Sequence, residues 1–254
     1  MQLNFKKSGV GDTLIILHGF MGSLDNWQSL ANEFSKSFEV YIIDARNHGK
    51  SPHTATHSIA EMVEDLFDFM HQQRILKAHI IGHSMGGKVA MQFAVNYPTY
   101  VNKLVIADIA AKKYERGHDD IFEALYAIDL TKIQTRKQAE EAMLPHVSEF
   151  ATRQFLLKNL ERLENGTYQW KMNLDVLNRD YDEITNEVSY NSSVYIPVLF
   201  LKGNLSKYIK QEDWEQIQHI FPKAELNEIS KAGHWLHADN PSEFYDKVIA
   251  FLTL

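Results

Sequence analysis

The clearest chemical signal in the sequence is a serine with glycines two residues to either side, Ser84 in the run Gly82–Gly87 (GHSMGG). A short apolar stretch, His79–Ile81, precedes the run, and a helical pattern, Lys88–Asn96, follows it. A strand that turns sharply into a helix strains its central residue, and glycines let the two segments approach. The turn exposes the hydroxyl and points the positive end of the helix at any oxyanion formed there. The sequence therefore predicts Ser84 as a nucleophile in acyl transfer.

A histidine late in the chain has the position of a general base. His234 follows a glycine in the run Ala232–Trp235 (AGHW), between a predicted strand at Ala224–Ile229 and a final apolar helix at Glu243–Leu252. A base on such a loop takes the serine proton and then protonates the leaving group. Among the 12 histidines, His234 is the one whose order and context fit this role. The nearby His237 is expected beside the site or at the surface.

The acid that orients this base is less obvious. The usual chain order is Ser, then Asp or Glu, then His, and the acid normally follows a strand such as the predicted Val198–Leu201. That loop, residues 202–207 (KGNLSK), contains no carboxylate. Asp108 ends the preceding predicted strand, and the carboxyl ends of parallel strands form the face where active sites lie. We predict Asp108 as the acid. The alternatives are Glu212 or Asp213, at the start of the next helix, and a site in which Asp108 is structural and no strong acid is present.

Two backbone amides are needed to receive the oxyanion. The predicted strand Thr13–Leu17 leads into residues 18–22 (HGFMG), and such a loop supplies one amide while the residue after the nucleophile supplies the other. We predict that the Phe20 and Met85 amides form this pair. His18 comes too early in the chain to serve as the late base, so a structural role is expected for it.

The elements that position these residues alternate along the chain. Ile59–His71 has helical spacing, with Met62, Leu66 and Met70 four residues apart. The turn Asp44–Ser51 is expected to be a hydrogen-bonded structural turn. The apolar runs lack polar alternation, as buried parallel strands do, and they are Thr13–Leu17, Val40–Ile43, His79–Ile81, Leu104–Ala107 and Val198–Leu201. Alternating strands and helices predict a parallel sheet with right-handed crossovers.

The alternation stops between about residues 112 and 192, where the sequence is charged, helical in period and poor in strand signals. Because a structureless link of this length is improbable, we predict a helical cap of residues 112–192. The cap interrupts a core domain formed by residues 1–111 and 193–254. The candidates for the substrate pocket are His83, Trp235, Phe122 and Leu125.

Composition narrows the class of protein. The formal net charge of −7 disfavours nucleic acid as a partner. The absence of cysteine excludes disulfides and thiolate metal sites. No apolar stretch approaches the roughly 20 residues of a membrane span, and the N-terminus lacks a secretory pattern. His48 and His53 have no supporting ligand cluster, and phosphate-binding glycine loops are absent. We expect a cytoplasmic protein without metal or cofactor that acts on a small molecule; the oligomeric state is not indicated.

The motifs resemble those of the α/β-hydrolase superfamily over essentially the whole chain, and within it the bacterial YbfF-type esterases. The matching runs are residues 18–20 (HGF), 44–49 (DARNHG), 81–88 (IGHSMGGK), 107–110 (ADIA) and 233–235 (GHW). In that group the acid follows the strand after the nucleophile, which supports Asp108. Members are metal-free esterases that act on short acyl esters and, in some cases, on acyl-CoA thioesters. Ala111 replaces the proline common at this position, which leaves the shape of the cleft rim in doubt.

The predicted fold is therefore α/β: a mostly parallel sheet of eight strands with flanking helices and an inserted helical cap. The predicted function is hydrolysis of carboxylic esters with short acyl chains, and of acyl-CoA thioesters, through an acyl-enzyme on Ser84. One alternative is a C–C hydrolase or lyase of the menaquinone-synthase type, because residues 18–23 (HGFMGS) are similar to those enzymes and Arg153 and Arg162 could serve a polyanionic substrate. A second alternative is a small-molecule receptor with slow turnover.

Overall fold

Strands and helices alternate along the chain, and a computed structural model describes all of residues 1–254. The strands are β1 (Phe5–Ser8), β2 (Thr13–Leu17), β3 (Glu39–Ile43), β4 (Ala78–His83), β5 (Val101–Ala107), β6 (Leu160–Arg162), β7 (Tyr168–Trp170), β8 (Val198–Gly203) and β9 (Ala224–Ile229). The α-helices are α1 (Gln28–Phe34), α2 (Ile59–Gln72), α3 (Met85–Asn96), α4 (Asp119–Tyr126), α5 (Arg136–Met143), α6 (Phe150–Leu157), α7 (Leu174–Arg179), α8 (Tyr181–Thr185), α9 (Trp214–Ile220), α10 (Leu236–Asp239) and α11 (Pro241–Thr253). None of these helices has the length and apolar composition needed to cross a bilayer.

Seven strands form the central sheet, in the order β1-β3-β2-β4-β5-β8-β9. β1 pairs with β3 antiparallel, and every other pair in this sheet is parallel. The predicted mostly parallel sheet is confirmed, but it has seven strands where eight were predicted. The difference is at one edge, where the turn at residues 9–12 leads from β1 straight into β2, so that β1 alone supplies the antiparallel part.

The two faces of the sheet are both covered by helices. Along β5, Leu104 and Ile106 pack into the larger apolar cluster with α2 and α3, whereas Val105 and Ala107 pack into the smaller cluster with α1 and α11. Because successive side chains of a strand point to opposite faces, a strand buried on both sides is apolar throughout. This explains why the runs that form β2, β4, β5 and β8 lack polar alternation.

Residues 112–192, the predicted insertion and hereafter the inserted segment, lie between β5 and β8 and contain α4 to α8. They also contain a feature that the sequence did not predict, a hairpin in which β6 pairs antiparallel with β7. The connecting loop contains Asn165 and Gly166, and Gly166 has a φ of 85°, in the region that favours glycine. An Asn-Gly pair between short strands is a hairpin signal, so this hairpin could have been predicted.

One lysine of α3 contacts both ends of the inserted segment. The Lys88 side chain is buried, and its Nζ donates hydrogen bonds to the carbonyl of Lys112 and, at 2.6 Å, to that of Asn186. Burial lowers the pKa of Lys88 to about 7, while the nearby Glu187 raises it. The first and last parts of the insertion are therefore held against the helix that begins at the predicted nucleophile.

Candidate active site

Ser84 lies at the sharp turn between β4 and α3. Its φ of 51° and ψ of −116° are rare for a residue with a side chain. A Cβ added at Gly82 would lie 2.3 Å from the carbonyl oxygen of Gly86, so the turn closes only with glycine there. The Ser84 amide donates to the Ala107 carbonyl at 3.0 Å and ties the turn to the end of β5. The structure thus has the predicted strand-turn-helix, with the serine at its strained position.

His234 and Asp108 complete a hydrogen-bonded chain with this serine. The distance from His234 Nε2 to Ser84 Oγ is 3.0 Å, and that from His234 Nδ1 to Asp108 Oδ2 is 2.8 Å. With Asp108 ionised, the imidazole donates from Nδ1, which leaves Nε2 to accept the serine proton. Asp108 is completely buried at the end of β5, with a φ of 53°. The structure therefore brings the three predicted residues together.

The alternative acids lie elsewhere. Asp213 accepts hydrogen bonds from Lys112 Nζ and from the Lys210 amide, both at 2.8 Å. Glu212 is exposed and lies 3.4 Å from the Lys210 ammonium. Neither carboxylate contacts His234, whose Nδ1 is already bonded to Asp108.

The loop after β8 supports the triad although it carries no acid. The Gly203 amide donates to Asp108 Oδ1 at 3.2 Å, and the Ser206 hydroxyl donates to Oδ2 at 2.5 Å. The Tyr208 ring stacks on the His234 ring, with centroids 3.7 Å apart and planes inclined by 14°. Ser206 and Tyr208 were not predicted as part of the site. A usable signal was present, since a hydroxyl and an aromatic ring occupy the loop where the acid usually lies.

His83, a predicted pocket residue, also fixes the base. Its Nε2 donates to the His234 carbonyl oxygen at 2.8 Å. Burial lowers the pKa of His83 well below its ordinary value, and the neighbouring His237 and His234 lower it further. His237 is buried as well and stacks on Trp27, with ring centroids 4.2 Å apart. A neutral His83 therefore holds the backbone of His234 through this hydrogen bond.

The two predicted oxyanion amides border the same space beside the nucleophile. A Cβ at Gly19 would lie 3.3 Å from Ser84 Cβ and 2.7 Å from His83 Nδ1, so the loop runs directly against the serine. The amide of the next residue, Phe20, donates no hydrogen bond to the protein. Met85 is the first residue of α3, and amides at this position have no acceptor within the helix.

Two buried histidines hold the loop that carries Phe20. His18 Nε2 accepts a hydrogen bond from the Ala45 amide at 3.0 Å, and His48 Nε2 accepts one from the Met21 amide at 3.1 Å. Burial lowers the pKa of both histidines, which favours the neutral rings that this acceptance requires. These contacts agree with the structural role expected for His18.

The turn after β3 is closed by a buried carboxylate. Asp44 Oδ1 accepts from the Leu24 amide at 2.8 Å, and Oδ2 accepts from the Lys50 amide at 2.9 Å. Gly49 has a φ of 56°, and a Cβ there would lie 2.3 Å from the carboxylate. Residues 44–51 are absent from the wall of the main cavity. The turn is hydrogen-bonded, as expected, and acts by fixing its neighbours.

A cavity of about 510 Å³ lies above Ser84. The predicted pocket residues His83 and Trp235 line it. Phe122 and Leu125 do not: both are buried in the apolar core, with exposed fractions of 3% and 0%. Their prediction as pocket residues is wrong, because helical spacing alone does not tell a side chain that faces the cavity from one that packs into the core.

The inserted segment forms much of the cavity wall. The Phe155 ring of α6 lies 5.3 Å from the ring of Trp235, the residue that follows His234. The wall residues from this segment include Tyr114, His118, Ile121, Phe155, Tyr181 and Ile184. No group of three or more His, Asp or Glu side chains is arranged to hold a metal ion. The structure thus brings the predicted nucleophile, base and acid and the two predicted amides to one partly enclosed space.

This fold and site define a class of protein. The family described as the alpha/beta hydrolase fold matches residues 12–241, so the chain belongs to that family. It is 37% identical to esterase YbfF of Escherichia coli, covering 90% of this chain and 88% of the relative. It is 38% identical to the sn-1-specific diacylglycerol lipase ABHD11 of Danio rerio, covering 96% of this chain and 80% of the relative.

A solved structure agrees more closely. A marine microorganism esterase superposes with a TM-score of 0.96 at 45% identity, covering 98% of this chain and 99% of that one. The predicted resemblance to the YbfF-type esterases is thereby confirmed. The chain is an enzyme of the hydrolase class, and the named esterases and lipase among its relatives support a carboxylesterase.

Proposed function

We propose that the protein hydrolyses small carboxylic esters through an acyl-enzyme on Ser84. The hydrogen-bonded chain from Ser84 Oγ through His234 to Asp108 carries this proposal, with distances of 3.0 and 2.8 Å. A serine hydroxyl is a weak nucleophile until an adjacent base removes its proton. A base oriented by a buried acid, beside two amides without acceptors, provides what ester cleavage requires.

The first half of the reaction transfers the acyl group. Ser84 Oγ attacks the ester carbonyl carbon while His234 Nε2 takes the serine proton. The Phe20 and Met85 amides receive the negative charge that develops on the carbonyl oxygen. When the tetrahedral intermediate collapses, the bond to the alcohol oxygen breaks and His234 returns its proton to that oxygen. The alcohol leaves, and Asp108 stabilises the transient imidazolium.

The second half reverses these roles with water. Water gives a proton to His234 Nε2 and attacks the acyl carbon of the Ser84 ester. The same two amides bind the second oxyanion, and the proton returns from His234 to Ser84 Oγ as the carboxylic acid is released. No metal or cofactor takes part in these steps, and the absence of a required cofactor remains a prediction.

The size and charge of the cavity favour a small uncharged ester. A volume of about 510 Å³ lies within the range of small-molecule sites. Two lysines line the cavity, Lys88 and Lys158, and the Lys88 ammonium is bonded to backbone carbonyls. We therefore propose esters with short acyl chains as substrates. Acyl-CoA thioesters rank second because their phosphates would find few free cations.

The structure weakens the argument for a C–C hydrolase or lyase and for a slow receptor. Arg153, considered as a contact for a polyanionic substrate, is buried, and its Nη1 donates to the carbonyls of Val147 and Ser148 at 3.0 and 2.7 Å. Its Nη2 lies 3.3 Å from Glu140. A slow receptor would not require a base in contact with the nucleophile. Ester hydrolysis is thus the activity to test first.

The test combines turnover with covalent labelling. Wild type is expected to release p-nitrophenol from p-nitrophenyl butyrate and to react with a fluorophosphonate probe at Ser84. Ser84→Ala is expected to lose at least about 10⁴-fold in kcat and all labelling. Ser192→Ala is the matched control, because this exposed serine lies outside the cavity. An inactive wild type, or labelling that persists in Ser84→Ala, would show that the proposal is wrong.

A further inference from the structure

A polar pair from the inserted segment faces the reaction centre and has no part in the steps above. His118 lies just before α4, and Tyr181 is the first residue of α8; both line the cavity. The Tyr181 hydroxyl and His118 Nδ1 are hydrogen-bonded. With Tyr181 donating to Nδ1, the neutral imidazole carries its proton on Nε2. That Nε2 has no partner in the protein, so it is a free donor at the cavity wall.

The pair lies next to residues of the proposed chemistry. The Phe20 ring packs against the Tyr181 ring at 5.3 Å and against the His118 ring at 6.1 Å. Tyr208, which stacks on His234, is close enough to Tyr181 for its charge state to affect the Tyr181 pKa. The pair and His234 line the same cavity. Because His234 gives its proton to the alcohol oxygen, the alcohol part of a bound ester lies in this shared cavity.

The pair is uncharged near neutral pH. Burial lowers the pKa of His118, and the neighbouring His234 lowers it further. Burial likewise raises the pKa of Tyr181. The guanidinium of Arg116 lies over the Tyr181 ring at 5.1 Å, but it is bonded to Asp119, and Arg116 lies outside the cavity wall. A carboxylate placed here would lose its water without gaining a free counter-charge, whereas a hydroxyl would gain a hydrogen bond.

We propose that His118 Nε2, held by Tyr181, binds an uncharged hydroxyl on the alcohol part of the ester, next to the scissile bond. This inference rests on the proposed ester hydrolysis and names its substrate class: esters of diols and other polyols, in preference to simple alkyl esters or esters of hydroxy acids. His118 is a specificity-determining residue in this account, and Tyr181 is the residue that sets its tautomer.

The test uses three butyrate esters of similar size. Ethyl butyrate lacks the hydroxyl, 2-hydroxyethyl butyrate has it, and carboxymethyl butyrate places a carboxylate there. Acid release in a pH-stat gives kcat/KM for each ester. Wild type is expected to prefer the hydroxyethyl ester over the ethyl ester by about fivefold to tenfold, the effect of one neutral hydrogen bond. The carboxymethyl ester is expected to be the poorest substrate.

Two variants assign the preference to the pair. His118→Phe keeps a ring against Phe20 and is expected to bring the ratio of hydroxyethyl to ethyl kcat/KM close to one. Tyr181→Phe, which removes the hydrogen bond to Nδ1 and keeps the ring, is expected to lower the ratio about twofold to threefold. His146→Phe is the matched control, because this histidine of the inserted segment pairs with Glu123 outside the cavity. It should keep the wild-type ratio.

Each outcome bears on one claim. A wild-type ratio near one, a ratio unchanged in His118→Phe, or a preference for the carboxymethyl ester would overturn the inference while leaving ester hydrolysis intact. Failure of wild type to cleave any of the three esters would instead count against the proposed function. If His118→Phe does not fold, as judged by its circular dichroism spectrum, the Tyr181→Phe ratio decides, and an unchanged ratio there overturns the inference.

Discussion

The loops that follow β5 and β8 leave the same edge of the sheet side by side, yet they contribute differently to the site. The β5 loop begins with Asp108, which is fully buried. The β8 loop has no carboxylate in residues 204–210, but its Ser206 and Tyr208 contact Asp108 and His234. One strand end supplies a charge, and its neighbour supplies the groups that stabilise that charge and orient the base.

This difference indicates that the position of a carboxylate relative to His234 and to its hydrogen-bond donors matters more than the strand that carries it. A buried carboxylate is costly unless hydrogen bonds compensate for its lost water. Asp108 has three donors: the Gly203 amide, the Ser206 hydroxyl and His234 Nδ1. All three lie outside the β5 loop, and two of them, Gly203 and Ser206, lie at the end of β8 or just after it, so the buried charge depends on the neighbouring strand end.

Removing the charge from the β5 loop should have the largest effect. In Asp108→Asn, the amide can no longer accept the Nδ1 proton in the same way, and the imidazole loses the tautomer that receives the serine proton. We expect kcat for p-nitrophenyl butyrate to fall about 10⁴-fold. Steady-state kinetics on the folded variant measures this.

The matched controls for that change are the two acids after β8. Glu212→Gln alters an exposed side chain and should leave kcat within about twofold of wild type. Asp213→Asn is measured in the same assay, since it removes a charge that pairs with Lys112 but does not contact His234. A large loss of kcat in Asp213→Asn together with a wild-type kcat in Asp108→Asn would contradict the assignment of Asp108 as the acid.

Exchanging the roles of the two loops is a sharper test. Ser206 Oγ lies 2.5 Å from Asp108 Oδ2, so a carboxylate at position 206 would lie close to the site that the Asp108 carboxylate occupies. We expect Asp108→Ser combined with Ser206→Asp to recover at least about tenfold in kcat over Asp108→Ser alone, an effect worth about 1.4 kcal/mol. No recovery would mean that only the β5 strand end can present the acid to His234.

Removing a donor from the β8 loop should have a smaller effect. Ser206→Ala takes one hydrogen bond from a charged, buried acceptor, and such bonds contribute about 1.5 to 3 kcal/mol. We expect kcat to fall about tenfold, with KM little changed, and Ser206→Thr to retain more activity than Ser206→Ala. Equal losses in the two variants would indicate that packing, and not the hydroxyl, matters at this position.

Removing the stacked ring should have the smallest effect. Tyr208 covers one face of His234, and an aromatic face favours the imidazolium formed during each step by about 0.5 to 1 kcal/mol. We expect Tyr208→Leu to lower kcat about threefold to fivefold, and Tyr208→Phe to lose less because it keeps the ring. A larger loss in Tyr208→Phe would assign the effect to the hydroxyl.

The sequence predicted much of this site because local patterns encode it. The strained turn needs glycines around Ser84, and a late histidine behind a glycine marked His234. Asp108 was found by noticing that the usual loop has no acid. Ser206 and Tyr208 were missed because their contacts join residues about 100 and 26 positions apart in sequence, at Asp108 and His234. No spacing rule reports such pairs.

The fold was predicted to a similar depth. Apolar runs marked the parallel strands. The count of eight came from the resemblance and was one too high, because β1 alone forms the antiparallel edge of the sheet. The strands β6 and β7 are too short and polar to show a strand pattern, so the Asn165-Gly166 pair between them was the one available signal of the hairpin. Phe122 and Leu125 were correctly predicted to lie on a helix, but their burial against the core depends on tertiary packing.

The contact of Lys88 with both ends of the inserted segment has a consequence for how such enzymes diverge. Lys112 and Asn186 are held by one ammonium on α3, so the stretch between them enters and leaves the core at fixed points. Sequence and length between these points can change while Ser84, about one helical turn before Lys88, keeps its place. The wall of the cavity can then change its shape and lining while the geometry of the reaction centre stays the same.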